Sequence, residues 1–193
     1  VSRVLDTIIE AVLLVTLVVL IFLASVRAAI IALVTIPISL IGTLGFMQAM
    51  GYSINTFTLL AMVLAVGLVV DDAIIDVENV KRHIREGRTP LNAAFIGSRE
   101  IGFAIVATTA TLASVFLPIG LMPGLLGSLF SEFAFTLSAA IIISGITSRT
   151  LSPMMCAYLL KPHEGRFERF LEARFDTFSS YYGHSLEFLL RYR

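Results

Sequence analysis

Asp71 and Asp72 stand side by side at the end of a run, Phe57 to Val70, that contains no charged residue. A lone aspartate at the centre of a membrane helix costs roughly 2.5–3.5 kcal/mol on insertion scales, so two in succession imply a task. Neighbouring residues on an α-helix point about 100° apart, so the two carboxylates share one site while facing different neighbouring helices. Carboxylates placed this close bind protons as a coupled unit, within the range that a transmembrane proton gradient can drive. Ionised, they need a cation or hydroxyl donors from facing helices. Protonated, they sit in the bundle unaided, so proton loading changes which helix packing is favoured. The plain alternative places the pair at the membrane boundary, with water reaching it.

Groups able to answer that charge are few. Thr108, Thr109 and Thr111 lie on a later apolar stretch, and their hydroxyls either bond the carboxylates or turn back to their own helical backbone. Arg149 is the one basic residue inside any apolar stretch. It reads equally as a counter-charge for Asp71 or Asp72 and as a side chain that snorkels to the interface. Asp76 reads as a solvated boundary residue, and Glu132 as interfacial. The single cysteine, Cys156, rules out an internal disulfide and a cysteine-built metal site, and reads as a small apolar helix residue. No cofactor is expected.

The elements that must position these residues are membrane helices. Of the 193 residues 57% are hydrophobic and only 15% charged, against about 25% charged in ordinary soluble domains. Crossing about 30 Å of hydrocarbon takes roughly 20 apolar residues, and five stretches qualify, at about 8–24, 28–50, 56–76, 101–122 and 130–160. Pro37 is expected to kink the second. Gly51 to Asn55 forms a polar turn able to cap the third, which continues past Asp76 into water as Glu78 to Arg85, with Glu78 and Arg82 spaced for an ion pair. Gly87 ends it. Thr89 and Pro90 then start a short separate helix through Phe95. The expected fold is an all-α polytopic membrane helix bundle of five transmembrane helices over residues 1–161. An amphipathic interfacial helix and the lead-in to a further span follow over 162–193.

If the spans alternate, Arg27, Lys81, Arg82, Arg85, Arg88, Arg99, Lys161, Arg166 and Arg169 share one side. The turns on the other side hold no Lys or Arg, which places the basic group in the cytoplasm and Val1 outside. From Arg166 to about Ser180, Phe167, Phe170, Leu171, Phe175 and Phe178 recur at helical spacing opposite charged residues, as in a helix lying along the cytoplasmic interface. With zero formal net charge there is no basic surface that points to nucleic acid. A start at Val1, without Met or a basic leader, reads as an interior piece of a longer protein.

The run Gly67-Leu-Val-Val-Asp71-Asp72-Ala-Ile-Ile, followed by Val77-Glu78-Asn79-Val80 and a basic pair, resembles the fourth transmembrane helix of the resistance-nodulation-division efflux transporters, hydrophobe/amphiphile multidrug branch. Phe116-Leu117-Pro118 resembles the end of the fifth, and Thr150-Leu-Ser-Pro-Met-Met-Cys-Ala157 the end of the sixth. The resemblance covers essentially the whole chain and makes its spans the second to sixth of twelve. It implies a proton-driven drug antiporter of the bacterial inner membrane in which Asp71 and Asp72 relay protons, with Thr108, Thr109 and Arg149 as candidate partners. It further implies a homotrimer joined to a periplasmic adaptor and an outer-membrane channel, with hydrophobic or amphiphilic small molecules as substrates. The substrate-binding porter domain and the second helical half belong to parts of that architecture outside this chain.

Four rival readings remain at this level. A heavy-metal effluxer of the same superfamily typically carries a single aspartate in the matching helix, and no Met or His cluster here suggests a metal relay. A sterol-sensing relative fits the Glu78-Asn79 tail poorly. An intramembrane aspartyl protease sets its two aspartates on separate helices around one scissile bond, whereas Asp71 and Asp72 diverge from one. A non-catalytic membrane anchor or remnant is the reading from a further class.

Overall fold

A computed structural model describes residues 2–23 and 25–161. The amphipathic helix expected near 166–180 lies outside the described residues. Within them the fold is all-α, with five helices and no strand: α1 (Ser2–Leu23), α2 (Val26–Met50), α3 (Thr56–Arg85), α4 (Pro90–Gly120) and α5 (Leu125–Leu159). By length and apolarity α2 to α5 can each cross a membrane, while the apolar run found in α1 is the shorter Val12–Ile21. α5 is the hub and packs against α2, α3 and α4; α1 leans on α2 and α3.

Alanines make these contacts close. Ala28, Ala29 and Ala32 on α2 and Ala61, Ala65 and Ala73 on α3 are all fully buried. Hydrocarbon is as apolar as leucine and does not drive helices together, so small side chains that let backbones approach are what hold such a bundle. Ile31, Ile36 and Leu137 are buried with them, while other large apolar side chains point outward, Phe103 on α4 being 84% exposed.

Local chemistry sets the helix ends. α2 runs unbroken through Pro37 and stops at Gly51, whose φ of 71° lies in the left-handed region that glycine tolerates. Asn55 then starts α3: its Oδ1 accepts from the Phe57 and Thr58 amides at 2.9 and 3.0 Å, and Thr58 Oγ1 accepts from the Asn55 amide at 2.9 Å. Asn55 Nδ2 also donates to Glu132 Oε2, tying this turn to α5. Thr89 does precede a helix with Pro90 at its first position, but its side chain makes no cap bond. The short helix expected there and the fourth span are one continuous helix, because nothing between Phe95 and Ile101 breaks the helical period.

The α3–α4 junction corrects a second expectation. Arg82 does not pair with Glu78; its Nη2 donates to Glu100 at 2.9 Å and to Asn79 Oδ1 at 2.8 Å, and Nη1 lies 3.6 Å from Glu86. The return of α4 beside α3 offers Arg82 a partner that spacing within one helix does not reveal. Asn79 Nδ2 donates to the Gly97 carbonyl at 2.9 Å, and His83 sits between Glu86 and Glu100 at 3.1 and 2.8 Å. Glu100 precedes the apolar part of α4. The bond from His83 first, then that from Asn79, holds its carboxyl below the ordinary glutamate value. Lys81 reaches the other way and donates to the last carbonyl of α1, at Leu23, at 3.0 Å.

Candidate functional site

One face of α3 is buried in a helical rhythm: Thr58, Ala61, Ala65, Val69, Ala73, Asp76 and Val80. Steps of three and four keep these residues on one stripe, whose Ala61 and Ala65 cluster with Leu137, Ala140 and Ile141 of α5 while Val80 meets Gly97 of α4. Asp72 stands at the edge of that stripe, half-buried, and Asp71 is exposed beside it. The two carboxylates act on each other electrostatically. They therefore do divide between two surroundings, as their angular offset requires, and only Asp72 turns toward α5.

The group on α5 that answers Asp72 is Ser144. Its hydroxyl donates to the Val69 carbonyl at 3.2 Å and lies beside the Asp72 carboxyl. Sequence reasoning missed Ser144 because serines in a membrane helix usually bond their own backbone. A signal was present in the i, i+4 series Ser144, Ser148 and Ser152, whose members are 2%, 1% and 0% exposed. A polar stripe that stays inside an apolar helix marks the side turned toward another polar group.

The candidate partners on α4 make no hydrogen bond to Asp71 or Asp72. Thr108 Oγ1 bonds its own helix at the Ile105 carbonyl, 2.9 Å away, and Thr111 does the same at Ala107, 2.8 Å away. Thr109 Oγ1 is buried without a hydrogen-bond partner, and a Cβ at Gly145 of α5 would stand 2.7 Å from it. Thr109 and Arg149 both line an apolar groove of about 500 Å³ between α4 and α5.

Asp76 is where the structure departs furthest from expectation. It is not solvated at a boundary but buried to 1% exposure, and its Oδ2 has no hydrogen-bond partner. It sits three residues after Ala73 and four before Val80, so the stripe that buries those residues buries it too. The continuation of apolar residues through Val77 and Val80 was the sequence signal. The cation that acts on it is Arg149, whose guanidinium lies over Gly102 of α4.

Among the described residues no cluster of His, Cys, Asp and Glu is arranged to hold a metal ion. What the arrangement offers chemically is proton binding by carboxylates on a helix whose neighbours supply hydroxyls.

Comparison with known proteins supports the family resemblance. The sequence profile of the AcrB/AcrD/AcrF family matches residues 1–193. The multidrug resistance protein MdtC of Klebsiella pneumoniae (strain 342) is 47% identical over 190 residues, 97% of this chain. MdtC of Pantoea ananatis is 51% identical over 156 residues, 81% of the chain, and an "Uncharacterized transporter" of Haemophilus influenzae is 52% identical over 161, or 83%. These matches cover 18%, 15% and 16% of the relatives' own lengths, so the chain spans only a small part of each.

Proposed function

Since the chain belongs to the AcrB/AcrD/AcrF family of resistance-nodulation-division multidrug transporters, we propose that it forms part of the proton-translocating membrane domain of an inner-membrane, proton-driven efflux antiporter for drugs and hydrophobic compounds. The observation that carries this reading is the carboxylate pair on α3, with Asp72 meeting Ser144 across the α3–α5 contact. A proton on Asp72 removes a charge from that contact, so loading and release change how well α3 and α5 pack. That is the elementary event a proton-driven transporter needs: a site whose occupancy biases one helix arrangement over another.

The two aspartates hold different roles in this scheme. Asp71, exposed on the described bundle, faces whatever else completes the membrane domain, and Asp72 addresses α5. The basic residues Lys81, Arg82, Arg85, Arg88 and Arg99 lie on the cytoplasmic side, which sets the direction of the path. The complete transporter acts as a homotrimer with a periplasmic adaptor and an outer-membrane channel, and exports hydrophobic or amphiphilic small molecules. No organic cofactor takes part; the proton gradient supplies the energy.

Asp71→Asn and Asp72→Asn in the complete transporter test this directly. Each is expected to abolish drug resistance while leaving membrane levels and assembly unchanged. Retained resistance in both variants would defeat the relay.

A further inference from the structure

We propose that Asp76 is a third proton-binding carboxylate of this bundle, held against the counter-charge of Arg149 and placed one helical turn beyond Asp72 toward the charged end of α3. Its use in transport rests on the relay reading above; the binding of a proton at Asp76 does not.

Three helices build the site. Asp76 comes from α3 and is 1% exposed, with Oδ2 unpartnered. An ionised carboxylate oxygen left bare inside a helix bundle is costly, and a buried unsatisfied oxygen of this kind marks a place where a proton, a water or an ion belongs. Arg149 comes from α5, and its charge acts on Asp76. Gly102 comes from α4 and makes room for the guanidinium: a Cβ there would stand 2.7 Å from Arg149 Cζ and 2.8 Å from Nη2. Any other residue at 102 would displace the arginine head.

The face of α5 opposite Asp76 is polar in a specific way. Arg149 and Cys156 both interact electrostatically with Asp76. Ser152 lies between them, three residues after one and four before the other, hence on the same face. The hydroxyls of Ser148 and Ser152 are buried and, like Asp76 Oδ2, have no hydrogen-bond partner. Bare oxygens on the two helices are explained together if a proton or a bridging water sits where Asp76 meets α5. Proton addition to Oδ2 forms an O–H bond, cancels the charge and gives a carboxyl that was acceptor-only a hydrogen to donate.

Position completes the argument. Four residues separate Asp76 from Asp72, a rise of about 6 Å along α3. Past Asp76 the helix leaves its apolar run and enters the segment with Lys81 and Arg82. Asp76 is thus the one buried carboxylate between the relay pair and that charged end. The ionisable groups facing it are Arg149 and Cys156 from α5, with Asp72 one turn back on its own helix; among the described residues α1, α2 and α4 contribute none that acts on it.

The test is infrared difference spectroscopy of the complete transporter in lipid nanodiscs across a pH titration, with Asp71→Asn and Asp72→Asn both present so that the relay pair is silent. A protonated-carboxyl band is expected that disappears with Asp76→Asn and whose midpoint moves with Arg149→Gln. Gly102→Ala, which keeps both charges but pushes the guanidinium aside, is expected to move the midpoint as well. Should Asp76→Asn fail to accumulate, Gly102→Ala decides: a moved band supports the site and an unmoved one overturns it. A spectrum that Asp76→Asn leaves unchanged overturns it outright. Because the band is read without drug or gradient, it stands or falls independently of whether Asp71→Asn abolishes efflux.

Discussion

Asn55 starts the helix that carries Asp71 and Asp72, and replacing it isolates two contributions of different size. Asp71 follows 16 positions later, about 24 Å along one helix, so the start of α3 sets its register. Asn55→Ala removes the acceptor for the Phe57 and Thr58 amides and the donor to Glu132. The cap is worth about 1 kcal/mol. A hydrogen bond to a charged acceptor is worth about 1.5–3 kcal/mol when desolvated, and less for this half-exposed one. Asn55→Ser keeps an oxygen for the cap but cannot reach Glu132, so it loses only the second contribution. Hydrogen exchange at the first turn of α3 reads both. One kilocalorie is about a fivefold change in local opening, so the Phe57 and Thr58 amides are expected to exchange roughly fivefold faster in Asn55→Ala than in Asn55→Ser. Asn55→Ser combined with Glu132→Gln is expected to be no worse than Asn55→Ser alone, since both remove the same contact. Equal exchange in the Ala and Ser variants would refute the cap assignment, and additive effects in the double variant would refute the tie to Glu132.

Two further outcomes concern the α3–α4 junction. A Cβ at Gly97 would stand 3.3 Å from Val80 Cγ2 and 3.4 Å from the Val80 Cα, so Gly97→Leu is expected to overpack the junction and cost about 1–3 kcal/mol, read as a lowered thermal midpoint of the purified transporter; an unchanged midpoint would contradict the close approach. Glu100 has a carboxyl held below its ordinary value by His83 and Asn79, so its contribution to the folded junction is complete above the ordinary glutamate range and is lost as pH falls through the lowered value. Hydrogen exchange in the first turns of α4 is expected to rise in that acid window for the parent chain, and Glu100→Gln is expected to remove the dependence; identical acid profiles would count against it.

How much of this was legible in the sequence depends on how local each feature is. The α2–α3 turn with its Asn55 cap was readable because a cap engages residues two and three positions ahead. The burial of Asp76 was readable in principle: it sits in phase with Val69, Ala73 and Val80, yet its position beside Glu78 and Lys81 made it look like part of the solvated extension. Arg82 illustrates the opposite case. Glu78 and Glu86 flank it at favourable helical spacing, but the shortest ion pair goes to Glu100, 18 residues away, because a chain reversal places that carboxylate within 2.9 Å.

By itself the sequence determined an all-α membrane bundle and the turn between α2 and α3, and it singled out the Asp71–Asp72 pair, while the start of α4 at Pro90 instead of about residue 101 escaped it. Those features follow from hydropathy, helical period and capping, each of which acts over one or two turns of chain. Only the tertiary structure decided which groups answer the carboxylates. Ser144 lies 72 residues beyond Asp72, and Arg149 lies 73 beyond Asp76, with the bare glycine at 102 between them in sequence. Such pairings depend on which face of α5 meets α3, a choice made by alanine-sized contacts spread over the whole interface, and no local pattern encodes it.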